Sequence, residues 1–239
     1  MNCRWRRWPD RVRGQGGFSL IEMMVSIVIL GVLMGALTAT MILGQRTTGA
    51  SETQLRNTQS STVAIQAMSR TIRSAVKLQQ IASSCSPCTQ TPFTLATPSS
   101  MAFYANLGDP LGPDLVSYTV VPDPSNGLYD LVEQVQSPDP GSAPNWTWCS
   151  PAPTSTCPAR VRVLTRGLSG PAAVSFTYYG VASTTQTLGA TLSGSLLGNV
   201  ASVGITLSVA ESSGYQVTPT TVAQFVTLPN AVAQAAGAS

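Results

Sequence analysis

The 239-residue chain is long enough for one ordinary domain plus an appendage, and only 10% of it is charged. It contains no histidine, which removes Ser-His-Asp and Cys-His catalysis and every histidine-ligated metal site. The net charge of +3 is concentrated at the front, where Arg4, Arg6, Arg7, Arg11 and Arg13 face only Asp10 within residues 1–17. The remainder is close to neutral, with eight basic and nine acidic side chains, so the basic isoelectric point does not argue for nucleic-acid binding.

The arginine cluster lies directly before an apolar run and reads as a cytoplasmic flank that orients it. From Met23 to Leu43 there is no charge, and Ser26, Thr38 and Thr40 are the polar side chains. With Phe18 to Ile21 added, the run is long enough to cross a hydrocarbon core of ~30 Å as a helix. Glu22 is out of place in it. A carboxylate at a bilayer centre costs roughly 2.5–3.5 kcal/mol, and less near the interface. A cut between Gly17 and Phe18 would compensate that cost. Phe18 would then carry a free amine one helical turn from Glu22, and both the amine and the helix N-terminus favour a carboxylate.

The stretch Gly16-Gly17-Phe18-Ser19-Leu20-Ile21-Glu22-Met23-Met24-Val25-Ser26 resembles the class III signal of type IV pilins and type II secretion pseudopilins. In that family a basic leader ends in Gly, and the mature chain opens with Phe and has Glu at its fifth position. Gly17, Phe18 and Glu22 match those positions, and the likeness covers roughly residues 11–45. The resemblance implies that a prepilin peptidase cuts after Gly17 and that the Phe18 amine is methylated. It also implies that Glu22 sets register against a neighbouring subunit. The implied partners are the major pilin, other minor pilins or pseudopilins, the inner-membrane assembly platform, and membrane lipid before assembly. The implied location is a single pass of the inner membrane, then the cell surface or a pilus. An ordinary secretory signal cut near Ala36 to Ala39, or an uncut anchor, are competing readings. The first has too long an apolar region for the ~7–15 residues of that class, and neither accounts for Glu22. Gly31 and Gly35 form a G-x-x-x-G pair suited to close helix packing, although small residues are common in membrane helices generally. Ala39 stands where many major pilins have Pro, which points towards minor pilins and pseudopilins.

No Pro occurs between Pro9 and Pro87, so the helix is expected to run on to about Ile81, with Gly44 and Gly49 as places to loosen or bend. Ile65, Met68, Ile72 and Val76 recur at helical spacing, with Arg70, Arg73 and Lys77 elsewhere on the wheel, which predicts an amphipathic helix with one buried face. After Ser83 the pattern changes to short β-type runs between turns. Strands are predicted at 101–107, 115–121, 128–135, 160–165, 173–181, 203–210 and 222–228. The fold class expected is α+β, a long N-terminal helix packed on an antiparallel β-sheet body. The organisation expected is a cleaved leader at 1–17, an assembly helix at 18–44, an amphipathic helix at 45–82 and a β-rich body at 83–239. The order of these pieces is similar to PilW minor pilins and J-type pseudopilins, apart from a Pro-rich, Cys-bearing insertion at 137–159. A body this large would crowd a uniform filament, so a tip or priming subunit is expected, with a tip-borne adhesin or DNA-uptake pilin as the alternative.

Cys85, Cys88, Cys149 and Cys157 form two short-range couples. Disulfides fit the export signal better than zinc, because the second couple lacks knuckle spacing, and pairing within each couple is the simplest arrangement. Trp146 and Trp148 in the 137–159 loop fit either a contact patch or rings folded back over the body; the second is the expected one. The triplet Asn145-Trp146-Thr147 fits a glycosylation sequon, a motif that arises often by chance. Asp109, Asp114, Asp123, Asn126 and Asp130 supply oxygens of the kind calcium takes, but beside Pro and Gly such residues are usually turn formers. No P-loop, G-x-G-x-x-G or nucleophile–base pair is visible, and a Ser–Lys pair would rest on Lys77 alone. No cofactor, metal or enzymatic activity is expected.

Overall fold

The computed structural model describes Gly17, residues 19–86, 91–149, 159–180, 187–210 and 218–230. Helix α1 spans Leu20–Arg73. It opens behind Ser19, whose carbonyl accepts from the Glu22 and Met23 amides at 2.9 and 3.1 Å. The Ser19-x-x-Glu22 spacing is that of a helix start. Gly44 and Gly49 do not interrupt the helix. By its internal contacts the chain divides between Thr48 and Gly49 into two compact units.

Within the second unit, α1 buries Ala64, Ile65, Met68 and Ile72, the face expected from their spacing. The helix stops at Arg73 rather than near Ile81. Tertiary pairing overrides helical propensity here. Val76 N–H donates to the Tyr104 carbonyl at 2.9 Å, and Asn106 N–H donates to Ser74 at 3.0 Å. The chain after Arg73 is thereby drawn onto a sheet edge, with Ala75 bridged to Ala105. The Asn230 side chain donates to the Ala75 carbonyl at 3.0 Å and ties the closing segment to the same place. A short helix, α2 at Leu78–Ile81, follows.

The β-rich part is antiparallel, as expected, but forms two sheets. The first is a five-stranded meander of β1 (Phe93–Ala96), β2 (Met101–Ala105), β3 (Asp114–Pro122), β4 (Tyr129–Gln136) and β5 (Ala159–Leu168), in that order. The second has β6 (Val174–Tyr179), β7 (Thr187–Gly189), β8 (Ser202–Val209) and β9 (Thr220–Thr227) in the order β7-β6-β8-β9. Strict alternation in β6, with Val174, Phe176 and Tyr178 buried, turns one face inward. The sheets are tied by Phe176 N–H to the Pro98 carbonyl at 2.7 Å and by Ala210 N–H to the Gly167 carbonyl at 3.1 Å. One apolar core joins Ile65, Met68 and Ile72 of α1 to Phe103 and Tyr118 of the first sheet and to Phe176 and Ile205 of the second.

The candidate processing and assembly segment

Gly17 is exposed, and a Cβ placed on it would meet nothing within 4 Å. Phe18 lies outside the described residues. Glu22 sits in the first turn of α1, where the positive end of the helix dipole favours a carboxylate. It makes no ion pair among the described residues.

Behind Glu22 the helix is apolar and open. Residues such as Leu20, Ile27, Val32 and Leu43 are exposed on every side. This is the composition and length of a membrane-crossing helix. Its polar side chains satisfy themselves. Ser26 Oγ donates to the Glu22 carbonyl at 2.7 Å, Thr38 Oγ1 to Met34 at 2.8 Å and Thr40 Oγ1 to Leu37 at 2.8 Å. No hydroxyl in this stretch therefore needs water, which is what a hydrocarbon environment requires. Gly31 and Gly35 have nothing within 4 Å of an added Cβ, so neither is needed for packing within the chain.

A family model, the prokaryotic N-terminal methylation motif, matches residues 12–38. The chain carries the prepilin-type signature of type IV pilins and pseudopilins. The match holds Gly17, Phe18 and Glu22 together with the first half of the exposed apolar run. The prepilin signature implies processing by a prepilin peptidase and assembly with other pilins, and it fits a single-pass anchored protein. It points to a structural subunit rather than an enzyme. No curated protein and no solved structure matches the chain.

The other candidates are placed as follows. Cys85 and Cys149 are disulfide-bonded, while Cys88 and Cys157 lie outside the described residues. The segments bearing Cys85 and Cys149 approach each other, since Ser86 N–H donates to Asn145 Oδ1 at 2.8 Å. The two tryptophans lie back on the body. Trp148 stacks on Tyr104 with ring centroids 4.6 Å apart, and Trp146 Nε1 donates to the Leu111 carbonyl at 3.1 Å.

Among the described residues, no three or more Cys, Asp or Glu gather as a metal site. Asp123 accepts from Ser125, and Asn126 from Leu128 N–H, as turn formers do. Asp130 lies 3.6 Å from Arg166. Asp109 and Asp114 do meet, through Ser137, whose hydroxyl is 2.6 Å from Asp109 Oδ2 and 3.2 Å from Asp114 Oδ1. Ser137 holds the Asp109 carboxyl below its usual range, with help from Leu111 N–H. Burial, and then the charge of Asp109, push Asp114 upward. Ser137 had no sequence signal, because its role depends on the meander bringing the end of β4 beside the start of β3.

Proposed function

We propose that this chain is a minor pilin or pseudopilin subunit. Its leader, residues 1–17, is removed after Gly17 and the Phe18 amine is methylated. Residues 18–44 then serve as the assembly helix, residues 45–82 as the amphipathic link, and residues 83–239 as the outward body. The observation that carries this reading is the methylation motif over residues 12–38, coincident with an apolar helix in which the hydroxyls of Ser26, Thr38 and Thr40 are internally bonded.

Cleavage places the new amine one turn before Glu22, within reach of the same subunit or a neighbour. Gly31 and Gly35 give a surface where another helix backbone can approach closely. A body of this size would crowd a uniform filament, which supports a tip or priming position. Pairing within each couple, Cys85 with Cys88 and Cys149 with Cys157, is the simplest disulfide arrangement. The adhesin alternative loses its clearest feature, because the Trp148 ring stacks on Tyr104 and the Trp146 indole N–H is donated to the Leu111 carbonyl.

Intact-mass and N-terminal analysis of the protein from its native membrane or sheared surface fraction tests the reading. A chain that begins at Phe18 with one added methyl is expected. A chain that begins near Thr40, or retains Met1, overturns it.

A further inference from the structure

A cavity of about 400 Å³ opens between α1 and β9, lined by Gln66, Ser69, Arg70, Arg73 and Gln224. Its polar groups are unspent. Arg70 and Arg73 are exposed and make no ion pair among the described residues. Ser69 is the telling residue. Other hydroxyls of this helix, Thr53, Thr58, Thr62 and Thr71, donate to the carbonyl four residues back. Ser69 does not. Its side chain is buried at 4% exposure, and its Oγ has no hydrogen-bond partner. A buried hydroxyl without a partner costs free energy that a bound group would return.

The backbone beside this cavity is also open. β9 is the last strand of its sheet, paired on one side by β8 and on the other by nothing among the described residues. Gln224 pairs across the sheet with Ile205, a core residue, so its side chain lies on the inward face of this edge strand. A strand added at the free edge would run ~4.8 Å beyond β9. Its own inward side chains would enter the cavity beside Arg70 and Arg73.

We infer that the free edge of β9 and the Arg70–Arg73 cavity together dock an extended acidic segment of a second pilin-like subunit. The main chain of that segment continues the sheet, and one of its carboxylates is held by the two guanidinium groups, with Ser69 Oγ and the Gln224 amide as further donors. The charge argument fixes the occupant: both unpaired cations face the place where an added strand would put a side chain. The inference rests on the subunit reading above and adds which surface of the body meets the neighbour, and by what chemistry.

The test uses the full chain in its native membrane, with a photo-crosslinking amino acid at Gln224 and, separately, at Leu33 in the apolar helix. Adducts are identified by mass spectrometry. The expected Gln224 adduct joins an acidic strand of a second chain that itself carries a methylation-motif N-terminus. Arg70→Glu with Arg73→Glu abolishes that adduct and leaves cleavage after Gly17 unchanged. Replacing the crosslinked acidic residue of the partner by Arg restores it, which a merely structural role for the arginines would not do. A Leu33 adduct with no Gln224 adduct overturns the docking inference alone. A Gln224 adduct to phospholipid also overturns it, because the cavity would then hold a phosphate. Loss of both adducts together with an uncut chain overturns the subunit reading as well.

Discussion

Tyr118 Oη donates to Glu133 Oε1 at 2.8 Å, joining β3 to β4 on the core face of the first sheet. Arg162 of β5 completes the row, its guanidinium 2.8 Å from Glu133 Oε2. One buried carboxylate thus serves three adjacent strands. Replacing Tyr118 by Phe leaves Glu133 short of a donor inside the core, and is expected to cost about 1–3 kcal/mol.

Burial, and then the charge of Glu133, push the Tyr118 phenol well above its usual range. Burial does the same to Tyr178. Above about pH 10 the unfolded chain releases both protons while the folded chain keeps them. The native state then binds more protons, so stability is full below pH 10 and declines as pH rises further. Urea unfolding of the purified full chain between pH 8 and 11 should show this decline. Tyr118→Phe should reduce its slope by about 1.4 kcal/mol per pH unit. An unchanged slope would mean that Tyr118 titrates normally.

Asp114 predicts a pH response of the same sign in the acid range. Its side chain is fully buried, Oδ2 lacks a hydrogen-bond partner, and Asp109 lies across Ser137. A carboxyl raised in this way contributes most below its unfolded value of about 3.9 and loses that contribution as pH rises through its folded value. Asp114→Asn should therefore raise the melting temperature at pH 7, and the gain should shrink as pH falls towards 4. A loss of stability at pH 7 would show instead that the ionised carboxylate is needed there.

The features legible in the sequence were those carried by local pattern. Glu22 inside an apolar run and the spacing of Ile65, Met68 and Ile72 needed no tertiary knowledge. Seven of the nine described strands were expected, because alternation and turn residues mark them. β1 and β7 were missed, being four and three residues long, too short for a period to register. The stop at Arg73 was missed for another reason. Ser74 to Val76 suit a helix, and only the distant β2 edge draws them off it. The Arg70–Arg73 cavity was hidden for the same reason: nothing near Gln224 in sequence announces an arginine neighbour.

Gly112 and Trp146 should be coupled. Gly112 has φ +135°, and a Cβ there would lie 2.2 Å from Trp146 Nε1. Gly112→Ala is therefore strained twice, by its backbone and by the indole, and should cost more than about 1 kcal/mol. Trp146→Ala removes the second strain. In a double-mutant cycle read by thermal unfolding, the pair should cost less than the sum of the singles. Strict additivity would show that the ring does not rest on Gly112.

Helix α1 presents two kinds of apolar side chain, and they should fail differently. Met68 is fully buried in the core formed with both sheets, so Met68→Ala should cost about 2–5 kcal/mol of unfolding stability. Leu33 is 55% exposed, so Leu33→Ala removes contacts that this chain does not make with itself. The unfolding transition of the Leu33→Ala protein should match the parent's, while its share in the sheared surface fraction falls. Glu22→Ala should behave like Leu33→Ala, because its carboxylate makes no ion pair among the described residues and has most to gain from a cleaved amine. A Glu22→Ala chain cut after Gly17 but retained in the membrane would place the role of Glu22 in assembly. An uncut Glu22→Ala chain would place it in recognition by the peptidase.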